Sequence, residues 1–174
     1  PIGVATVGKV ITPARGKPMY IATTTGTSAA DRVQAMVKNA VYGIAVARAD
    51  GIKNPTVGIL NVEGARQVER HLESMREKGY SFAWGSSQRS DGGHVLRGND
   101  LITGSVDVLV TDTLTGNVLM KLFSSFNSGG NYETVGFGYG PGIGEDFDRL
   151  ILILSRASGR PVVAGAIQYA AAMV

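Results

Sequence analysis

The residues of this chain best placed to do chemistry are Asp112-Thr113-Leu114-Thr115-Gly116-Asn117. They bring a carboxylate, two hydroxyls and an amide to a turn between two apolar runs. Val106 to Thr111 reads as a buried strand. Val118, Leu119, Leu122, Phe123 and Phe126 fall on one face of a helix. A strand that enters a helix through a short turn aims free backbone N–H groups and the positive end of a helix dipole at one point, which suits an anion such as phosphate. The same residues also describe an ordinary capped helix, with Asp112 or Thr113 as the cap.

Three other turns carry comparable groups. Thr23 to Ser28 is rich in hydroxyls, and Thr25 and Thr27 could meet an anion or a carbonyl oxygen; Ser28 and Asp31 fit an N-cap and an acidic first turn. Asn61-Val62-Glu63-Gly64 follows a second buried strand. Ser155-Arg156-Ala157-Ser158-Gly159-Arg160 offers two guanidiniums, whose forked donors match phosphate oxygens, although surface arginines at a loop look the same. His94, in the polar loop Asp91-Gly92-Gly93-His94, could act as a general base or be a plain loop histidine, and His71 lies on a charged helix. No His/Asp/Glu cluster has metal-ligand spacing, and neither a nucleophile elbow nor a nucleotide-binding glycine motif is present.

The elements that hold these turns follow from periodicity. Strands are expected over Ile2–Ile11 and Pro18–Thr23, joined by Thr12–Lys17. A helix carries Val33, Met36, Val37, Ala40, Val41, Ile44 and Ala45 and ends at Asp50-Gly51. Thr56–Asn61 is a short strand. The next helix turns Ala65, Val68, Leu72 and Met75 inward and stops at Gly79. Tyr80–Ser86 and Arg149–Ser155 read as strands, Val95–Gly104 as an irregular piece and Gly129–Gly144 as a long Gly-rich loop suited to a lid or a partner contact. Pro161 opens a last helix. Repeated strand–turn–helix units build an α/β fold, a three-layer α/β/α sandwich with a mixed sheet, and bring the turns after parallel strands to one edge.

Composition narrows the function. With 44% hydrophobic and 18% charged residues, the chain reads as a globular domain without an apolar run of membrane-spanning length, and no signal peptide is expected. The net charge of +3 comes without a basic block and with few aromatics, which argues against nucleic-acid binding. There is no cysteine, so these residues hold no disulfide, thiolate metal site or cysteine nucleophile. A cytoplasmic location is expected. Both ends read as cut, and the chain is expected to be a single domain forming the C-terminal part of a longer subunit.

Gly51-Ile52-Lys53-Asn54-Pro55-Thr56-Val57-Gly58-Ile59-Leu60-Asn61, Gly98-Asn99-Asp100-Leu101 and Asp107 through Lys121 together resemble the phosphate acyltransferases of fatty acid and phospholipid synthesis. Pro1-Ile2-Gly3-Val4, Ala22 to Ser28, Asn61 to Arg70 and Gly138 to Asp146 are more similar to the alpha subunits of component C of the glycine/sarcosine/betaine reductases. The resemblance covers nearly the whole chain. It implies a fold like that of isocitrate dehydrogenase and phosphotransacetylase, and a reaction in which phosphate attacks an acyl thioester to give acetyl phosphate. The enzyme-bound thioester would need a cysteine, which either lies outside these residues or has been lost with that step. The phosphate acyltransferases instead take the acyl group from acyl carrier protein.

Within this resemblance Thr115, Gly116, Asn117, Arg156 and Arg160, with Thr27 and Asn61, would bind phosphate or substrate. Ser155 and Thr25 would orient the acyl oxygen, and Asp112 would hold the turn or steer a proton. The implied partners are phosphate, an acetyl thioester donor or carrier protein, the component C beta subunit and a further copy of the chain; no cofactor is implied. A long-chain phosphate acyltransferase and a non-catalytic assembly module are the alternatives.

Overall fold

The computed structural model describes residues 3–174. The expected beginning of the first strand at Ile2 lies outside the described residues. β1 (Val4–Ile11) and β2 (Pro18–Thr27) form an antiparallel hairpin. Then follow α1 (Arg32–Ala49), β3 (Thr56–Leu60), α2 (Ala65–Glu77), β4 (Ala83–Trp84), β5 (Val95–Leu96), α3 (Gly98–Thr103) and β6 (Val108–Val110). The chain closes with α4 (Thr113–Ser128), β7 (Gly140–Gly144), β8 (Leu152–Ile153) and α5 (Arg160–Ala172). One sheet of eight strands runs β4-β3-β6-β2-β1-β7-β8, with β5 sharing the outer edge of β3 with β4.

The sheet is mixed because its first hairpin is antiparallel while β2, β6, β3, β4 and β5 are parallel. Strand alternation then divides the core. Tyr20, Ala22, Val108 and Val110 face α1, where Met36, Ala40, Ile44 and Ala47 cover them, and α2 adds Val68 and Leu72. Met19, Ile21 and Leu109 face the other way, toward Met120 and Phe123 of α4 and Leu101 of α3. The result is the expected α/β architecture, with helices on both faces. Among the described residues no helix is long and apolar enough to cross a membrane.

Several local expectations change. Thr24–Thr27 belongs to β2 and is not a turn; the cap of α1 is Asp31, whose carboxylate accepts from Gln34 N at 2.8 Å, while Ser28 is buried against Ala35 O and Asn39 Oδ1. The strand runs on because its pairing with β1 slips between Ala22 and Gly26, which inserts Thr23–Thr25 as a bulge opposite Thr6. Val95–Gly104 is not irregular but contains β5 and α3. The strands expected over Tyr80–Ser86 and Arg149–Ser155 shrink to two residues each. The end of the Gly-rich loop is β7, paired with β1 and β8. Gly140, at φ +94°, would place a Cβ 1.8 Å from Val7 O, so the glycine permits close strand contact there.

The inward face of α4 also differs. Gly116, Met120, Phe123 and Ser124 are buried, whereas Val118, Leu122 and Phe126 stand in solvent. The helix is docked by Gly116, whose missing side chain lets the backbone reach Thr23 O; a Cβ there would lie 1.8 Å from that oxygen. This contact fixes the rotation of the helix and turns the leucine and phenylalanine row outward.

Candidate functional site

The carboxyl ends of β2, β3 and β6 meet at one sheet edge. The helices that follow β2 and β6 lie on opposite faces, so the crevice between these adjacent strands is where an open α/β sheet is expected to bind ligands. A cleft of about 230 Å³ lies there. Thr27 and Arg32 line it from the β2–α1 side, Asp112, Thr113 and Leu114 from the start of α4, and Asn39 from within α1. The first turn of each helix leaves N–H groups without an intrahelical partner, and here two such turns converge. Arg32 also reaches the neighbouring turn, with its guanidinium 3.3 Å from Glu63. Asn39 is buried, and the Ser28 hydroxyl holds its amide oxygen at 2.8 Å.

The Asp112–Asn117 turn is largely satisfied by its own groups. Asp112 is the N-cap: Oδ1 accepts from Thr115 N at 3.0 Å and Oδ2 from Thr115 Oγ1 at 2.7 Å. Burial works against the ionised carboxylate, but the Thr115 hydroxyl and amide, with Arg32, outweigh it and hold the pKa below the usual range. Gly116 N donates to Asp112 O at 3.0 Å, and Asn117 Nδ2 donates to Thr24 O at 3.0 Å. The donors expected to receive phosphate at Thr115, Gly116 and Asn117 therefore already have partners. Thr113 Oγ1 donates to Gly26 O at 2.9 Å and, together with Asn117, clamps α4 onto the β2 bulge.

Other candidates are dispersed. Thr25 is half-buried in the bulge, where its carbonyl accepts from Thr23 Oγ1 at 3.1 Å. Asn61 is exposed beyond β3, with its backbone N–H on Leu96 O. β8 runs opposite to β2, because β7 is antiparallel to β1 and β8 is antiparallel to β7. The Ser155–Arg160 turn thus leaves the sheet at the other end and does not share the Asp112 cleft. Its link to α4 is indirect: Lys121 Nζ donates to Asn117 Oδ1 at 2.8 Å and lies 3.2 Å from Tyr139 OH, which donates to Glu133 at 3.1 Å. The Ser155 hydroxyl, and then Tyr139, lower the Glu133 pKa.

His94 stacks on Trp84 at 4.5 Å, and its Nδ1 lies 2.9 Å from the Gly85 carbonyl, which accepts a hydrogen bond from that nitrogen; it braces a loop. Arg32 and Asn39 are the cleft residues that sequence reading missed. The signal was available at Arg32, a cation directly after the Asp31 cap.

Comparison with known proteins places the chain in a family. The family described as Fatty acid synthesis protein matches residues 1–174. The chain belongs to that fatty acid synthesis protein family. A relative named glycine/sarcosine/betaine reductase complex component C subunit alpha, from Peptoclostridium acidaminophilum, is 64% identical over 171 residues, which is 98% of this chain and 44% of that protein. Phosphate acyltransferases are more distant. The one from Phenylobacterium zucineum is 44% identical over 87 residues, 49% of this chain and 24% of that protein; the one from Acetivibrio thermocellus is 41% identical over 78 residues, 45% of this chain and 22% of that protein. This member of the fatty acid synthesis protein family spans less than half the length of the curated relatives it matches.

Proposed function

We propose that the chain is the phosphate-binding part of an acyltransferase that converts an acetyl thioester to acetyl phosphate. A phosphate oxygen attacks the thioester carbonyl carbon, the new C–O bond forms, the C–S bond breaks and the thiolate leaves. The work asked of the protein is positioning of the nucleophile and stabilisation of the oxyanion. The observation that carries this reading is the convergence of Arg32 with the first turns of α1 and α4 on one cleft at the carboxyl edge of the parallel strands. The names of the relatives, a component C subunit and phosphate acyltransferases, support it.

In this reading phosphate is held by the Arg32 guanidinium and by the backbone N–H groups of Thr113 and Leu114, with Thr27 at the rim. Asp112 keeps the α4 terminus in place; with both oxygens engaged it is a poor proton acceptor. Ser155, Arg156 and Arg160 act elsewhere, toward a partner subunit or carrier protein. The thioester is supplied by a cysteine outside these residues or by a carrier.

The test is acyl-phosphate formation by the complete subunit with its partners, carrying Arg32→Met. A fall of at least tenfold in the rate at subsaturating phosphate, with a raised KM for phosphate, is expected. An unchanged KM and rate would place the phosphate elsewhere.

A further inference from the structure

Asn39 lies well inside α1, and only 1% of its surface meets solvent. An amide is a poor occupant of such a place. Asparagine adds nothing to a helix interior, and burial strips its donor and its acceptor of water. The acceptor is provided for, because the Ser28 hydroxyl donates to Oδ1 at 2.8 Å. The donor is not. Among the described residues Nδ2 has no hydrogen-bond partner, yet it is not sealed from solvent, and Asn39 lines the cleft between α1 and α4. The free N–H pair therefore opens into that cleft. A buried donor left without a partner is destabilising, and a protein retains one where a ligand completes it.

We infer that Asn39 is the oxyanion donor of the cleft, the group that takes the thioester carbonyl oxygen while phosphate attacks the carbon. The inference rests on the acyl-transfer reading above and adds to it a residue with a separate role. Arg32 and Asn39 stand seven residues apart, close to two turns, so both meet the cleft from one face of α1, about 10 Å apart along its axis. Arg32 is half-exposed at the mouth, and Asn39 closes the floor. The mouth suits the charged nucleophile, which keeps part of its hydration there. A phosphate dianion at the floor would exchange water for one neutral amide beside Ala35 and Met36. A carbonyl oxygen is neutral on arrival and gives up far less. As the phosphate oxygen bonds to the carbon, the C=O π pair moves onto the carbonyl oxygen, which becomes an anion. The hydrogen bond from Nδ2 strengthens at that moment, where the low dielectric magnifies it. When the pair returns, C=O re-forms, the C–S bond breaks and the thiolate leaves. Asn39 neither gains nor loses a proton. Ser28 fixes the amide before the substrate arrives, so the donor needs no reorganisation.

The experiment measures acyl-phosphate formation by the complete subunit with its partners, carrying Asn39→Leu or Asn39→Ala. Neither change orphans Ser28, whose hydroxyl also reaches Ala35 O at 2.9 Å. Asn39→Ala, small and favourable to helix, is the variant to use if Asn39→Leu does not fold, as judged by circular dichroism and melting temperature. The expected result is a fall in kcat of about a hundredfold, with the KM values for phosphate and thioester and the calorimetric affinity for phosphate within about twofold of the parent. A merely structural role would not divide kcat from KM in this way. An unchanged kcat overturns the inference, and so does a loss confined to phosphate affinity, which would make Asn39 a phosphate ligand. Arg32→Met, measured in parallel, keeps the two readings apart. If it is impaired while the Asn39 variants match the parent, the role of Asn39 alone falls; if it matches the parent while the Asn39 variants lose kcat, the placement of phosphate alone falls.

Discussion

Asp112 shows how one side chain sets two properties. As the cap of α4 it accepts a backbone N–H and a hydroxyl, and its charge faces the cleft that Arg32 enters. Asp112→Ala should cost about 1 kcal/mol, the usual price of a lost cap. Asp112→Asn keeps an acceptor and loses the charge, so stability should stay within about 0.5 kcal/mol of the parent while phosphate affinity rises severalfold. Denaturant melts and phosphate titration by calorimetry separate the two, and weaker phosphate binding by Asp112→Asn would show that the carboxylate helps to hold the ligand.

Asp100 and Asp107 follow the same logic. Burial opposes their ionised forms, but Arg97 N, Gln88 N and Ser87 stabilise the first, and Thr56 and Lys17 the second, so both pKa values lie below the usual carboxylate range. Groups with depressed pKa values contribute stability that is present above their unfolded pKa, near 4, and lost as pH falls through the folded value. Unfolding free energy should therefore decline steeply below about pH 4. Asp107→Asn should flatten that decline, and a variant with an unchanged acid limb would mean that other groups dominate it.

At the scale of elements, the β2 bulge and α4 form one unit. Thr6, Thr23 and Thr24 are buried in the bulge, with Thr6 and Thr24 hydroxyls 2.8 Å apart and Thr24 Oγ1 donating to Tyr139 O at 3.1 Å. α4 lies on this unit through Gly116. Gly116→Ala should destabilise by about 1–3 kcal/mol or more, because its Cβ would overlap a carbonyl oxygen that cannot move without breaking the bulge. A melt of the purified variant that matched the parent would refute this account of how the helix is oriented.

The same contact explains what sequence could and could not reveal. The long helix α1 was legible because Met36, Ala40 and Ile44 repeat at helical spacing within a helix of about five turns, and Asp50-Gly51 ends it. The face of α4 was not, because its orientation depends on a missing side chain meeting a distant carbonyl. The threonines of β2 read as a turn because hydroxyl-rich stretches usually are turns; here their hydrogen bonds cross between strands. β7 was hidden because Gly-Pro-Gly-Ile-Gly has no apolar alternation, with Gly140 and Gly144 required by close backbone contact to Val7 O and Gly3 O. Asp112 as a cap could be read from its position, whereas the cleft needed the helix after β2 and the helix after β6 to be placed together.

For the whole molecule, the lower end of the sheet is tied by charge as much as by apolar packing. Lys9 Nζ lies 2.5 Å from Asp50, at the end of α1, and sits over the rings of Phe137 and of Tyr169 in α5, at 4.8 and 4.9 Å. Tyr20 OH donates to the same carboxylate. Burial, followed by the hydrogen bond to Asp50, raises the Tyr20 pKa, and burial raises that of Tyr169, so both phenols stay protonated. β1, β2, the end of α1, the segment before β7 and α5 thus meet at one ion pair, opposite the edge that carries the cleft. Removing only Asp50 leaves a partly buried ammonium without its counter-charge; Asp50→Leu should cost about 3–5 kcal/mol. Lys9→Met combined with Asp50→Leu removes both charges and should recover a large part of that loss, a coupling that a double-mutant cycle measures directly. If the double variant were as unstable as the sum of the singles, the two residues would act independently and the ion pair would not be what joins α5 to the sheet. Because this tie lies at the far end from Arg32, each folded variant should also keep the parent's affinity for phosphate, which separates the stability of the scaffold from the chemistry of the cleft.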